Sequence, residues 1–298
     1  MSEIAFYGAL ETGLIFTLVA FGIFISFRVL DFPDLTVDGS FPLGAAISAS
    51  LIVSGMNPWI ATVLAICGGA LAGIITALLN VKLKILHLLA SILTMIALYS
   101  VNLRIMGKPN IALLGDQTVL TFMESWGLPY YLVGPIAFAF VAVLVLAMLV
   151  RFFSTDIGLA MRATGANPKM ASAQGISTSG MIILGMALSN GLVALAGALF
   201  AQSQGVADVT MGVGVIVVGL ASVIGGEALL STRTLFLSIL ACMVGAILYR
   251  LAIALALNAD FIGLEAQDLN LVTAILVAVA IVIPGAKSSL KTKLAGRR

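Results

Sequence analysis

The stretch DIGLAMRATGANPKMASAQGIST, Asp156 to Thr178, is polar and basic-flanked, and it lies between two long apolar runs. Its spacing predicts helix, turn, helix. A first helix covers 157–163, a bend follows at Gly165-Ala166, and Asn167 then acts as N-cap with Pro168 at the first helical position. A loop that merely joined two membrane crossings would need no such internal design. A short helical hairpin on a membrane surface suits a chain on which a separate motor must push.

Composition agrees with a membrane setting. Of the 298 residues, 61% are hydrophobic and 9% charged, against about 25% charged in a soluble domain. Such a chain cannot cover a water-facing surface. The expectation is an all-α polytopic membrane protein, one transmembrane domain over residues 1–298 with the 156–178 hairpin inside it. Cys67 and Cys242 both fall in apolar runs, so they read as small buried apolar residues. The N-terminus, MSEIAFYGALETG, carries acids and no basic region, unlike a cleavable signal peptide, so the first apolar run is expected to stay as a span.

A helix needs about 20 apolar residues to cross the bilayer core. Candidate spans run near 5–27, 38–55, 58–80, 85–106, 130–152, 179–203, 210–226, 234–257 and 269–284. That makes about nine, with eight to ten allowed because the second and seventh are short and rich in Gly or polar residues. At least one span is expected to be discontinuous. With the N-terminus outside, the inner side receives Arg28, Lys82, Lys84, Arg151, Arg162, Lys169, Arg233 and the basic tail from Lys287 to Arg298, while the outer side receives only Arg104 and Lys108. The rule that bases stay inside therefore predicts N-terminus out, C-terminus in and a cytoplasmic hairpin. The tail after Gly285 reads as a membrane-surface anchor.

An internal echo links two units. Gly13-Leu14 opens a span leading to Asp34-Leu-Thr-Val, and Gly191-Leu192 lies in a span leading to Asp208-Val-Thr-Met. The two units would enter from opposite sides, as inverted repeats do around a transport path. Coincidence in a low-complexity apolar sequence is the other reading.

Three groups of residues could carry function. In the hairpin, Arg162, Asn167 and Lys169 offer donors at an exposed tip, and Met161, Met170 and Ala171 could fill a partner's groove. Its other reading is an ordinary basic loop. In DFPDLTVDGSFPLG, residues 31–44, three acids, two prolines and two glycines stand at the mouth of an apolar run, so the helix there is expected to be irregular. Asp31 and Asp34 read as solvated loop acids. Thr36, Asp38 and Ser40 read equally as pathway lining or as interface. On the fourth span, Tyr99, Asn102 and Arg104 cluster at the outer end, where they could meet a polar solute or simply bond neighbouring helices. His87, at the inner end, reads as interfacial. Asn190, with Ser189, Gln202 and Gln204, makes a similar set on the sixth span.

Absences narrow the chemistry. The sequence has no G-x-x-x-x-G-K-[ST] phosphate loop, no Cys/His cluster with metal-ligand spacing and one histidine. No span holds a row of acids suited to an ion relay. An intramembrane enzyme is therefore disfavoured, and no nucleic-acid partner is suggested. A self-contained secondary transporter or channel is the alternative, as is a scaffold that merely anchors an ATPase.

Four stretches carry a resemblance: DLTVDGSFPLGAA (34–46), LASILTMIALYSVNLRIMGKPNI (89–111), GLAMRATGANPKMASAQGI (158–176) and VGLASVIGGEALL (218–230). Together they resemble permease subunits of bacterial ABC importers of the branched-chain amino acid and ribose type, and the third is similar to that family's cytoplasmic coupling loop. The TVDGSFPLGAA wording is similar to a subgroup that works with lipoprotein binding proteins, some members of which are linked to tryptophan or tyrosine uptake. The fourth stretch resembles the family's Gly-Gly turn but continues EALLSTRTLFLSIL, where further glycines are usual.

The resemblance implies a subunit of the inner membrane that imports a small polar solute by alternating access, with no cofactor of its own. ATP and magnesium would sit on a separate cytoplasmic ATPase. The other implied partners are an extracytoplasmic solute-binding lipoprotein, a second permease copy and membrane lipid. The coupling role would fall on Arg162, Gly165, Asn167, Lys169, Ala171 and Gly175. The translocation pathway is expected to use Thr36, Asp38, Ser40, Tyr99, Asn102, Arg104 and Asn190.

Overall fold

The structure is a computed structural model that describes residues 3–124, 129–230 and 232–257. Helix α1 spans Glu3–Ile23 and continues as a π-helical turn over Phe24–Val29. Next come α2 (Val37–Val53), α3 (Pro58–Val81), α4 (His87–Met106), strand β1 (Asn110–Ala112) and the short α5 (Val119–Glu124). Then follow α6 (Tyr130–Phe153), α7 (Asp156–Ala166), α8 (Pro168–Ala173), α9 (Thr178–Gln204), strand β2 (Val206–Asp208), α10 (Val215–Leu229) and α11 (Leu235–Leu257). Each of the first eight predicted apolar runs holds one of these helices. The ninth, 269–284, and the basic tail lie outside the described residues. Among the described residues, six helices are long and apolar enough to cross a membrane, while α2 and α10 are shorter. The chain is an all-α polytopic membrane protein. Its one sheet among the described residues is the antiparallel β1–β2 pair, with Ile111 opposite Ala207.

Helix α1 is the axis of the bundle. Every residue from 13 to 26 is buried, and α1 packs against α6, α9, α10 and α11. Around it the apolar side chains point outward: Ile60, Val63 and Leu71 on α3, Leu93 and Ile96 on α4, and Phe140 and Met148 on α6 are all exposed. That distribution suits lipid, not water. In lipid, helices are not driven together by hydrophobicity, so close van der Waals contact and hydrogen bonds must hold them. Helix α9 meets α2 and α3 through Gly44, Gly69 and Gly73, where an added methyl would collide with the backbone of Ala194, Asn190 and Met186.

The two short helices are about 25 and 22 Å long at 1.5 Å per residue, less than the roughly 30 Å hydrocarbon core. Non-helical chain at 30–36 leads into α2, and chain at 209–214 leads into α10. Phe32, Asp34 and Thr36 are almost fully buried. Their irregular backbone is thus screened by protein, the condition for non-helical chain at membrane depth.

The irregular stretch ends sooner than the sequence suggested. It stops at Thr36, and Pro42 sits inside a continuous helix. Pro42 lies early in α2, so it forfeits only the bond to the Asp38 carbonyl, against which Gly212 packs instead. The Gly225-Gly226 pair, read as a turn, is helical within α10. There Gly226 and, across from it, Gly245 bring α10 and α11 together, each where a methyl would strike the other helix's backbone. Cys242 is buried as expected, but Cys67 is exposed on the outer face of α3.

Candidate functional site

Both short helices begin beside Asp38. It lies in the first turn of α2, yet its carboxylate reaches the start of α10. Oδ2 accepts from Gly214 N–H at 3.2 Å and Oδ1 from Ile216 N–H at 2.7 Å. The residue before α10 is Gly214, in the left-handed region at φ 80° and without a side chain to cap. Asp38 therefore caps α10 from another helix, supplying the acceptor and the negative charge that a helix N-terminus favours.

A cavity of about 410 Å³ adjoins this junction. Its walls are Asp38, Gly39 and Pro42 of α2, the α4 face carrying Met95, Ile96, Tyr99 and Asn102, and the 209–213 chain ahead of α10. Most of the lining is apolar, with a few polar groups, as small-molecule sites are. Asn102 is fully buried. Its Nδ2 donates to the Gly39 carbonyl at 3.3 Å, while its Oδ1 has no hydrogen-bond partner. A buried acceptor left open costs about 1–3 kcal/mol, and this one belongs to a residue that borders the cavity.

A second polar unit lies deeper, between α2, α3 and α9. Asn190 Nδ2 donates to Asp34 Oδ2 at 2.8 Å, and Ser40 Oγ donates to Asn190 Oδ1 at 2.7 Å. Asp34 Oδ1 accepts from Thr36 N–H at 2.9 Å, and the Thr36 and Thr76 hydroxyls are 2.9 Å apart. All five side chains are 1% exposed or less. Ser189 Oγ, next along α9, donates to the Gly22 carbonyl at 2.7 Å, just ahead of the π turn. Nearer the opposite end from the hairpin, Gln202 donates to Ser48 Oγ and Thr62 Oγ1, both at 2.9 Å, and accepts from Val119 N–H at 3.0 Å. One side chain thus ties α2, α3, α5 and α9.

The hairpin forms as its sequence signals required. Asn167 accepts from Met170 N–H at 3.1 Å with Pro168 at the first helical position. Thr155 caps α7 through Gly158 N–H. Helix α7 runs on through Ala166, three residues past the predicted end. Gly165 is what seats it, since a methyl there would collide with the Val29 carbonyl at the end of the π turn. Arg162, Asn167, Lys169 and Met170 are exposed. Gly175 closes α8 in the left-handed region at φ 83°. Met161 and Ala171 are buried within the chain itself, so they brace the hairpin and do not fill a partner's groove. Close by, Arg28 makes a two-pronged ion pair with Glu227, both contacts at 2.8 Å, joining the π turn to the end of α10.

Of the seven pathway residues expected from sequence, Asp38, Tyr99 and Asn102 meet at the cavity. Thr36, Ser40 and Asn190 meet in the buried network, and Arg104 is exposed near the end of α4, away from both. Asp34, read as a solvated loop acid, is instead the centre of that network. His87 stacks on Phe32 with ring centroids 4.4 Å apart. The local sequence marks Asp34 as a turn residue and no more. Both arms of the internal echo form the same turn, Thr36 N–H to Asp34 and Thr210 N–H to Asp208 at 2.7 Å. An Asp-X-Thr turn at each site is what such a turn-forming residue does.

A helical bundle for the membrane, two short helices converging on a cavity and a capped hairpin on one face define a transport permease. Residues 6–283 match the family described as branched-chain amino acid transport system, permease component, and the chain belongs to that family, the permease subunits of ABC importers. The tyrosine transport system permease protein of Clostridioides difficile is 38% identical over 93% of this chain and 90% of its own length. The ribose import permease RbsC of Bacillus subtilis is 26% identical over 78% and 68%. Among solved structures, PsaBC from Streptococcus pneumoniae in complex with Fab has the same fold. Its TM-score is 0.57 at 15% identity, covering 98% of this chain and 96% of that one.

Proposed function

We propose that this permease imports an amino acid with a bulky apolar or aromatic side chain, and that the solute passes the cavity at Asp38, Tyr99 and Asn102. The observation that carries this reading is the cavity: mostly apolar walls beside one unpaired, fully buried carbonyl oxygen on Asn102. An apolar side chain suits the walls, and an ammonium or hydroxyl donor would satisfy Asn102 Oδ1 in a state of the permease that opens this oxygen to the cavity. The 38% identity to a tyrosine transport permease supports the same solute class.

ATP is hydrolysed by a separate cytoplasmic ATPase that docks on the 156–178 hairpin, with Arg162, Asn167 and Lys169 at the contact. A solute-binding lipoprotein delivers at the opposite face. The N-terminus is outside and the C-terminus inside, with nine crossings, and the Asp34 and Asp208 arms are inverted repeats. A second permease copy completes the path by covering α4, whose Tyr99 and Ile96 flank the cavity and are exposed. ATP binding on the partner favours one of two states of the pair. The seat of Gly165 on the π turn and the Arg28–Glu227 fork would carry that shift to α10 and so to Asp38, because a ligand moves a conformational equilibrium only through differential binding.

The test is Arg162→Glu with Lys169→Glu. These are exposed charges, so folding should hold, while copurification of the ATPase and solute uptake should both fall. If both survive unchanged, the hairpin is a connector and the docking role is wrong.

A further inference from the structure

Glu11 lies eight residues into α1, just ahead of the buried stretch that begins at Gly13. Its carboxylate points between α6 and α9. Gly134 of α6 makes the room, because a methyl there would collide with the Glu11 carboxyl group. Ser203 of α9 donates to Oε1. Among the described residues no lysine, arginine or histidine pairs with Glu11, and the one ion pair is Arg28–Glu227.

The carboxylate faces a cavity of about 280 Å³ at the end of the bundle opposite the hairpin, distinct from the Asp38 cavity. Its polar wall is Glu11, Ser203, Gln204 and the two tyrosines at the start of α6, Tyr130 and Tyr131; Ile4 and Leu120 are among its apolar residues. Tyr130 is 85% exposed, so the site is reached from outside the bundle. Tyr7 and Tyr131 stand with ring centroids 5.3 Å apart beside it.

Acids at membrane depth are expensive unless compensated. We propose that this pocket binds a primary ammonium group, with Glu11 as the counter-ion and the tyrosines as aromatic neighbours. The chemistry selects this class. A built zinc or calcium site gathers three or more protein ligands, whereas no group of three metal-ligating acids, histidines or cysteines occurs among the described residues. The cavity also holds far more than one ion, since a water takes up about 30 Å³, so an alkyl stem fits beside the charged head. Aromatic faces attract ammonium groups, and a carboxylate hydrogen bond to a charged donor is about twice as strong as a neutral one. The ammonium could come from an aminophospholipid headgroup or from a free amine.

The test uses the permease–ATPase complex in nanodiscs. Its thermal midpoint is read in phosphatidylglycerol alone, with added phosphatidylethanolamine, with added phosphatidylcholine, and with free ethanolamine. Phosphatidylethanolamine should raise the midpoint and phosphatidylcholine, which has no N–H, should not. A matching rise with free ethanolamine would assign the site to soluble amines as well, and no such rise would assign it to the lipid. Glu11→Gln keeps the shape and the Ser203 partner, and should weaken the apparent affinity about tenfold or more. The wild-type comparison stands by itself if that variant fails to fold. Equal midpoints in all four wild-type conditions, or a Glu11→Gln protein that responds as the wild type does, would overturn the assignment.

Discussion

Removing Asn190 should cost more than any surface change, and its cost should depend on Asp34. In Asn190→Ala the buried Asp34 carboxylate loses its side-chain donor at 2.8 Å, and the Ser40 hydroxyl loses its acceptor at 2.7 Å. Average interhelical hydrogen bonds in membranes are worth only about 0.6 kcal/mol. Here, however, one partner is an acid 1% exposed, and leaving such a group unsatisfied costs about 1–3 kcal/mol or more. The second term therefore wins, and with the small void left by the amide we expect a loss of about 2–4 kcal/mol. Asp34→Ala should cost a similar amount, because it strands the Thr36 N–H and one Asn190 N–H, the other still donating to the Met186 carbonyl. In the double variant neither member of the Asp34–Asn190 pair is left to be stranded, although Ser40 and the Thr36 N–H still lose their partners, so the two losses should fall short of their sum by at least about 1 kcal/mol. The assay is reversible unfolding in mixed micelles titrated with dodecyl sulfate and followed by circular dichroism. Additivity within about 0.5 kcal/mol, or a near-silent Asn190→Ala, would refute the view that these residues act as one unit.

The cap on α10 gives a second prediction: Asp38→Ala should lose about 1–2 kcal/mol, the value of a helix cap, and abolish uptake, while Asp38→Asn keeps one acceptor and loses less of each. ATPase copurification should survive both, since the Asp38 carboxylate bonds to the start of α10 and not to the hairpin. At the π turn, Arg28→Glu or Glu227→Arg alone should lower the solute moved per ATP hydrolysed, and the two together should restore it in part; a double variant worse than either single would remove the ion pair from the coupling route. Gly165→Leu should unseat the hairpin from the Val29 carbonyl and reduce copurified ATPase, which a pull-down would read directly.

Sequence signals that act locally were readable. Asn167-Pro168 is a cap followed by a proline whose missing N–H is not needed, and the structure forms that cap. Apolar length likewise marks eight of the helices, since the bilayer imposes it. What could not be read depends on contacts across the chain. Asp34 looks like a loop acid because its decisive partner, Asn190, is 156 residues away, and no local pattern shows that 30–36 rises into the bundle. Asp38 was singled out as a costly acid near the membrane, but its capping of Gly214 and Ile216 needed the fold. Arg104 was grouped with Tyr99 and Asn102 by nearness in sequence, yet helical rotation turns it away from the face that Asn102 and Tyr99 share with the cavity. Met161 looked available to a partner because the hairpin is polar overall, whereas its buried face is set by packing against the bundle.

The central claim is that this chain carries an amino acid through the Asp38–Tyr99–Asn102 cavity on power supplied by a partner ATPase. The direct measurement is uptake of labelled tyrosine into proteoliposomes holding the permease, its ATPase and its solute-binding protein, with wild type and Asn102→Ala compared. The account predicts uptake that requires ATP and falls about tenfold in Asn102→Ala, the effect of losing a polar contact worth about 1.4 kcal/mol, with basal ATP hydrolysis retained. Uptake that proceeds without ATP, or that is the same in the two proteins, would contradict it.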